Sequence, residues 1–149
     1  MNAIKFLLKE HDHVRRAFAD ISDASHRPQT KLKLFVSLCQ ELLVHEKMEQ
    51  TVWYPRFNNE DKLKTIVQHL LSEEQSAEEA IKEFRKIISH DQWEEKFKRL
   101  RMDVEHHASE EENKLFPKVT SILDEEELEE IGEKMIKFKS ECLKAKEAI

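Results

Sequence analysis

Apolar residues recur along most of the chain at the three- and four-residue spacing of an amphipathic helix. The first such segment runs from about Ala3 to Ile21 and ends in a polar stretch, residues 22–30. The second begins near Pro28, a residue suited to the first turn of a helix, and Pro55 is expected to kink or end it. The inward positions of these two predicted helices are Ile4, Leu7, Leu8, His11, Val14, Arg15, Phe18, Leu32, Phe35, Leu38, Leu42, His45 and Glu49.

Two further long helices are predicted in the second half of the chain. The third runs from about Lys62 to Ile88, and its inward face includes one acid, Glu74. The fourth is expected to open at Asp91-Gln-Trp-Glu94, a variant of the capping box. Their inward positions are Leu63, Ile66, Val67, Leu70, Leu71, Glu74, Ala77, Ile81 and Phe84, then Trp93, Phe97, Leu100, Val104, His107 and Glu111.

A fifth helix is predicted after Asp124-Glu-Glu-Glu127, which resembles another helix start. Its apolar residues form one seam, which can lie against the bundle or against a second subunit. The short connections favour an all-α, up-down-up-down four-helix bundle over residues 1–120, with residues 121–149 as an additional C-terminal helix. The seam consists of Leu128, Ile131, Met135, Phe138 and Cys142.

Composition agrees with this fold and limits the partners. The 149 residues include one glycine and three prolines, too few for a protein built from hairpins. The net charge of −6 comes from interleaved acids and bases, which argues against nucleic acid as a partner. The N-terminus has no apolar stretch long enough for a signal peptide or a membrane helix, and two cysteines are too few for a disulfide framework. We therefore expect a cytoplasmic protein without membrane contact, either a monomer or a homodimer through its C-terminal helix.

One short motif occurs twice. His45-Glu-Lys-Met-Glu49 and His107-Ala-Ser-Glu-Glu111 each pair a His with a Glu four residues later, and each is followed by an aromatic residue and a proline. On a helix, such a pair lies about 40° apart around the axis and about 6 Å apart along it, so both side chains can reach one metal ion. The similarity extends upstream, where residues 7–11 match residues 70–74. The chain is therefore interpreted as two diverged copies of a helix pair.

The repeat predicts two sets of inward metal ligands. The pseudo-two-fold relation would give each of two metal ions three ligands, with Glu49 and Glu111 able to bridge them. Imidazole and carboxylate are the ligands of non-haem iron, so the predicted chemistry is di-iron. The first set is His11, His45 and Glu49, and the second is Glu74, His107 and Glu111.

Other residues compete for these roles. His69 and Glu73 form another HxxxE pair, which could supply the third-helix ligand in place of Glu74, although the repeat register favours Glu74. His106 is expected behind the ligands or at the rim of the site, since the proline register selects His107. Glu46 could be an additional ligand, but a solvated role is favoured.

This pattern resembles the hemerythrin-like, or HHE cation-binding, domain family over residues 4–117. The resemblance rests on His11 and on the two HxxxE motifs with their Tyr-Pro and Phe-Pro endings. It implies a four-helix bundle around an oxo- or hydroxo-bridged di-iron centre, with manganese as an alternative at one position. The implied ligands are dioxygen, nitric oxide or peroxide.

One position departs from the family pattern, because this chain has Glu74 where the third helix usually offers His. An added carboxylate favours higher oxidation states, so reversible oxygen carriage is less secure as an assignment. The leading hypothesis is a domain that binds or senses dioxygen, nitric oxide, or iron and redox state. The alternative is an enzyme with oxidase, peroxidase or catalase-like turnover, and a third hypothesis is a metal-free scaffold.

Overall fold

The structure is a computed structural model and describes residues 1–87 and 89–147. The described residues form an all-α bundle, as predicted, and the α-helices are α1 (Ala3–Ile21), α2 (Pro28–Met48), α3 (Asp61–Glu83), α4 (His90–Glu110), α5 (Phe116–Ile122) and α6 (Glu125–Glu147). Helices α1 to α4 contact one another in a closed ring, each beside its neighbour in the chain, with α4 returning to α1. Within the described ranges, no helix combines the length and apolar character needed to cross a membrane.

Two of the predicted helix boundaries differ in the structure. The third helix is α-helical only to Glu83 and continues as a 3₁₀ turn, Phe84–Lys86, while the expected end at Ile88 lies outside the described residues. The capping box at Asp91 was wrong. Ser89 caps α4 instead, because its hydroxyl accepts a hydrogen bond from the backbone N–H of Gln92 at 3.3 Å, and Asp91 lies within the first turn.

The start of α6 follows the prediction. The Asp124 carboxylate accepts a hydrogen bond from the backbone N–H of Glu127 at 2.8 Å. The apolar seam of α6 packs on the bundle, against α1, α2 and the turn after α2, and Leu128, Ile131 and Met135 are buried there. The division of the chain at residue 120 and an association of two chains through α6 stay predictions.

The chain's single glycine, Gly132, lies where α6 meets the start of α1. A Cβ atom at this position would stand 1.9 Å from the backbone oxygen of Met1 and 2.9 Å from the backbone nitrogen of Ala3. Both neighbours are backbone atoms, which cannot move aside as a flexible side chain could. The close approach of the two segments therefore requires glycine.

A π-helical turn follows each HxxxE motif, and we call Glu49–Trp53 and Glu111–Leu115 the two π-turns. In each, the carbonyl of the glutamate accepts a hydrogen bond from the backbone N–H five residues later, that of Tyr54 or Phe116. The proline that follows has no N–H and its ring crowds the carbonyl four residues earlier, so it disfavours a regular α-turn here. After the first π-turn the helix stops in a 3₁₀ turn, whereas after the second it continues as α5.

The apolar core is divided into two parts with a polar layer between them. On α1, His11 lies between Leu7, which belongs to one part of the core, and Val14, which belongs to the other; on α3, Glu74 follows Leu70 of the first part. One part is formed by Leu7, Trp53, Leu70, Leu115 and their neighbours, and the other by Phe18, Phe35, Leu38, Phe97 and Leu100 with theirs. The two HxxxE motifs therefore face the interior at one level of the bundle.

Candidate metal centre

All six predicted ligands lie in this polar layer. Glu49 and Glu111 are fully buried, and Glu74 is 1% exposed. Carboxylates are rarely buried to this extent unless they are paired or bind a metal ion. The six residues, which come from all four helices of the ring and their π-turns, are His11, His45, Glu49, Glu74, His107 and Glu111.

Each histidine directs its Nε2 atom at a carboxylate of the layer. His45 Nε2 lies 3.0 Å from Glu49 Oε1, and His11 Nε2 lies 3.3 Å from Glu111 Oε1. His107 Nε2 lies 3.1 Å from Glu74 Oε2 and 3.9 Å from Glu49 Oε1. The structure thus brings the two halves of the repeat together through His107, which contacts carboxylates of both.

Several of these atoms point towards one another without forming hydrogen bonds. His11 Nε2, Glu111 Oε1 and both oxygens of Glu49 are buried and have no hydrogen-bond partner among the described residues. Ligand atoms of Glu49, His107 and Glu111 lie within 4.8 Å of one another. Convergent nitrogen and oxygen atoms without partners are what a cation requires, so these residues fit a metal ion with N and O ligands.

The electrostatics of the layer also require positive charge. Among the described residues, no Lys or Arg lies within 4 Å of the Glu49, Glu74 or Glu111 carboxylates. Burial and the charge of Glu111 raise the pKa of Glu49, and burial and the charge of Glu49 raise the pKa of Glu74. Burial opposes the protonation of His107, but the nearby carboxylates of Glu49 and Glu74 raise its pKa to about 12. Without a metal ion, protons must therefore balance the carboxylates.

The outer ring nitrogen of each histidine faces a second carboxylate. His11 Nδ1 lies 2.7 Å from Glu112 Oε2, His45 Nδ1 lies 3.4 Å from Glu10 Oε1, and His107 Nδ1 lies 3.1 Å from Glu73 Oε1. A carboxylate behind a ligating imidazole fixes the ring's orientation and tautomer and increases its basicity. This arrangement is typical of metal-binding histidines.

Glu10 and Glu73 occupy matching places in the two copies but have different neighbours. Lys139 of α6 lies 2.5 Å from Glu10, so α6 contributes a lysine ammonium group behind His45. Although burial opposes it, the hydrogen bonds from His45 and Lys139 lower the pKa of Glu10 to about 2. Glu73 instead faces His69 and His106.

Tyr54 and Gln50 complete the surroundings of the carboxylates. The Tyr54 hydroxyl donates to Glu111 Oε2 at 2.5 Å and lies 3.3 Å from Glu74 Oε2. Burial and the charge of Glu111 raise the pKa of Tyr54 well above 10, so the hydroxyl keeps its proton. The Gln50 amide donates to Glu74 Oε1 at 3.1 Å. At the place matching Tyr54, the Phe116 ring stacks on His11 with 6.2 Å between the ring centroids.

A cavity of about 580 Å³, lined by residues of α1, α2, α3 and α4, reaches the centre. Its lining includes His11, His45, Glu74 and His107, so a small molecule entering it would meet the candidate ligands. Glu46 lines it as well and is 5% exposed, so the solvated role expected for this residue was wrong. Burial, followed by the charges of Glu74 and Glu78, raises the pKa of Glu46 to about 9.

The residues that competed with the predicted ligands lie outside the polar layer. Glu73 is behind His107, while His69 and His106 are more than half exposed. Sequence reasoning placed His106 behind the ligands or at the rim, and the structure has it at the rim. It missed the second layer, which consists of Glu10, Gln50, Tyr54, Glu73, Glu112 and Lys139.

A signal for part of that second layer was present in the sequence. Glu10 and Glu73 occupy the same place in the matched segments upstream of the two motifs, one residue before His11 and Glu74. A repeated acid beside a repeated ligand position indicates a shared role. Tyr54 and Lys139 carried no such signal, because their contacts depend on the π-turn and on how α6 packs.

Fold and site together define a helical-bundle protein with a carboxylate- and imidazole-rich site for metal cations. The family model of the hemerythrin HHE cation binding domain matches residues 2–119. The chain therefore belongs to this family. Comparisons with curated proteins and with solved structures find no significant match.

Proposed function

We propose that this chain holds two non-haem iron ions and uses them to bind or sense a diatomic ligand, namely dioxygen, nitric oxide or peroxide, or to respond to iron and redox state. The ions would be held by His11, His45 and Glu49 on one side and by Glu74, His107 and Glu111 on the other. Bound iron supplies redox activity and coordination positions for a small ligand.

The observation that carries the proposal is the convergence of buried, unpartnered ligand atoms at the inner end of a cavity. The two oxygens of Glu49 and Glu111 Oε1 lack hydrogen-bond partners among the described residues, and Glu49 and Glu111 come from corresponding places in the repeat. Two equivalent carboxylates at the middle of a pseudo-two-fold arrangement are suited to bridging two cations. The carboxylates behind the three histidines support the same conclusion.

The protein's own groups support ligand binding in defined ways. Glu10, Glu73 and Glu112 hold the imidazole rings in place, and Tyr54 holds Glu111 and Glu74. Apolar side chains on both sides of the layer limit the access of water. The cavity gives a diatomic molecule a route to the layer.

Anaerobic reconstitution with ferrous iron tests the proposal. We expect about two tightly bound iron ions per chain, the number that two sets of three ligands can hold. Mixing the loaded protein with dioxygen or nitric oxide should then change its near-ultraviolet and visible spectrum. Fewer than one tightly held ion, or spectra that do not respond to either gas, would favour a metal-free scaffold.

The carboxylate content of the site favours one second candidate, a di-iron oxidase, peroxidase or catalase-like enzyme. Four glutamates, Glu46, Glu49, Glu74 and Glu111, are at least nine-tenths buried in or beside the layer. Carboxylate ligands favour higher oxidation states, as turnover with oxygen or peroxide requires. Repeated consumption of peroxide or dioxygen by the loaded protein would support this candidate, whereas a stable adduct formed once per site would support binding or sensing.

A further inference from the structure

Two more HxxxE pairs lie side by side on the surface of the bundle. His69 and Glu73 are on α3, and His106 and Glu110 are on α4, which packs against α3. We call these four residues the outer cluster. The repeated motif does not include them, and the inner site does not use their histidines.

The outer cluster is arranged crosswise. His69 Nε2 lies 3.5 Å from Glu73 on its own helix and 3.2 Å from Glu110 on the other. His106 Nε2 lies 3.4 Å from Glu73 across the helix boundary and also contacts Glu110. Each imidazole nitrogen therefore faces both carboxylates, and ligand atoms of His69, Glu73 and Glu110 lie within 4.8 Å of one another.

The burial of these side chains differs by type. The Glu73 and Glu110 side chains are 18% and 10% exposed, while those of His69 and His106 are 57% and 64% exposed. Two largely desolvated carboxylates thus lie beneath two imidazoles that solvent can reach. Lys114 approaches Glu110 only to 3.9 Å, a distance at which it contributes little.

The matching place in the first copy shows what Glu73 needs. Glu10 has the same relation to His45 as Glu73 has to His107, and a lysine ammonium lies 2.5 Å from Glu10. The described residues place no lysine or arginine beside Glu73; its outer oxygen faces two imidazoles instead. Lys139 supplies positive charge to Glu10 in the first copy, so Glu73 in the second copy needs a different source of positive charge.

We propose that the outer cluster binds one divalent first-row transition-metal ion, such as Zn²⁺ or Fe²⁺, through His69, Glu73, His106 and Glu110. Two imidazoles and two carboxylates exclude a preference for Ca²⁺ or Mg²⁺, which favour all-oxygen sites. Four N and O ligands suit the tetrahedral coordination of Zn²⁺. The outer site does not depend on the di-iron assignment, since none of its four members is an inner ligand.

Glu73 links the outer site to the inner one. Its Oε1 atom lies 3.1 Å from His107 Nδ1, while its Oε2 atom belongs to the outer cluster. A cation on Oε2 withdraws electron density from the carboxylate and weakens it as a hydrogen-bond acceptor for His107. Occupation of the outer site therefore changes the surroundings of an inner ligand.

Zinc content is the first test. Metal-free full-length protein is dialysed to equilibrium against buffered Zn²⁺, and the bound zinc is measured by elemental analysis for the wild type, His69→Ala/His106→Ala and Glu110→Gln. Both variants should bind one zinc ion per chain fewer than the wild type. His90→Ala is the matched control and should bind as much zinc as the wild type, because His90 and Glu94 form an exposed HxxxE pair that faces no second such pair among the described residues.

The test depends on the difference in bound zinc between the wild type and the two variants, and this difference does not depend on how many ions the inner site holds. If the wild type and both variants bind equal amounts of zinc, the outer site is overturned. A wild type that binds one zinc ion and variants that bind none would support the outer site and count against the inner one. The imidazole ¹⁵N spectrum tests the link. The final equivalent of zinc in a titration should shift the ¹⁵N resonance of His107 Nδ1 in the wild type but not in His69→Ala/His106→Ala. A shift of equal size in both proteins would disprove the coupling through Glu73.

Discussion

The side-chain amide of Gln50 donates a hydrogen bond to the Glu74 carboxylate at 3.1 Å. The residue at the matching place in the second copy is Glu112, which lies 2.7 Å from the ring of His11. A candidate carboxylate ligand thus has an amide donor behind it, and a candidate imidazole ligand has a carboxylate behind it. Each outer residue suits the hydrogen-bonding capacity of the inner one. Glu74 and Gln50 are therefore a matched pair, in which the amide donates to the carboxylate.

This pairing predicts how substitutions at residue 74 behave. If Glu74 ligates iron and favours its ferric state, the ferrous wild-type protein should oxidise quickly in air, and Glu74→His should slow that oxidation. Glu74→His/Gln50→Glu should bind ferrous iron roughly 10-fold more tightly than Glu74→His, because a carboxylate behind the new imidazole orients it. Stopped-flow mixing with oxygen and iron titrations measure these effects.

The single variant Gln50→Glu is the control for that double substitution. In the wild-type background it places a second carboxylate against Glu74 and should weaken iron binding. Equal oxidation rates for the wild type and Glu74→His would mean that Glu74 does not contact iron.

Loss of a histidine ligand should remove the stabilisation that metal provides. Iron should raise the unfolding temperature of the wild type, since it binds only the folded chain. His45→Ala and His107→Ala should each lose a large part of this increase. His107→Ala should also destabilise the metal-free protein by about 3 kcal/mol, because it leaves buried Glu49 and Glu74 without their cation. Thermal and urea unfolding with and without iron measure both effects.

An exposed histidine serves as the control for these two variants. His13 pairs with Glu41 at the surface, so His13→Ala should melt like the wild type in both states. If metal-loaded and metal-free wild type melt together, the six candidate residues do not bind the added metal.

The metal-free protein should lose stability as the pH rises from 6 to 9. The pKa of Glu46 is about 9 in the folded protein and near 4.5 in an unfolded chain, so in this range the folded state retains a proton that the unfolded chain has lost. His107, whose pKa is about 12, acts in the same direction above its ordinary value of 6.5. With a slope of about 1.4 kcal/mol per pH unit for each proton, Glu46 should account for a loss of roughly 3–4 kcal/mol and His107 for about 3 kcal/mol more.

Urea unfolding at a series of pH values measures this loss. Glu46→Gln cannot ionise and should flatten part of the slope. Bound iron should make the stability of the wild type rise over the same range, since metal competes with the protons that the ligands hold. A metal-free wild type that becomes more stable between pH 6 and 9 would contradict the assigned protonation of Glu46 and His107.

Gly132→Ala should destabilise the chain even though alanine favours a helix. The gain in helix propensity is at most about 1 kcal/mol. The added Cβ would lie 1.9 Å from the backbone oxygen of Met1, so α6 and the start of α1 must move apart, at a cost of about 1–3 kcal/mol beyond that gain. Lys137→Ala, on the exposed side of α6, should have little effect. An unfolding free energy above that of the wild type would show that the two segments separate easily.

The hydrophobic pattern was sufficient to predict an all-α bundle, and His11 with the two HxxxE motifs indicated the family. The first helix runs from Ala3 to Ile21 as the pattern indicates, because apolar spacing and a polar stop agree there. The start of α4 was predicted less well, since Ser89 and Asp91 are both good capping residues and only the chain's path selects one. Local sequence does not contain that path.

The candidate site could be predicted only in part for a similar reason. The repeat pointed to all six inner residues, because helical periodicity and matched spacing both mark them. It did not indicate that Glu46 is buried, since its burial depends on the position of α3. Nor could it place Lys139 on Glu10, because 129 residues separate them in the sequence and the contact exists only when α6 folds back.

The π-turns have a consequence for the history of this chain. Each contains one residue more than a regular α-helical turn, and one residue rotates a helix by about 100°. Without it, Tyr54 and Phe116 would point well away from their present directions. Both halves carry this insertion at the same place, between the second metal-ligand candidate and the proline. If the two halves arose by duplication, as the repeat indicates, the simplest history is that the insertion is older than the duplication, so that the ancestor was a single helix pair that already had the extra residue.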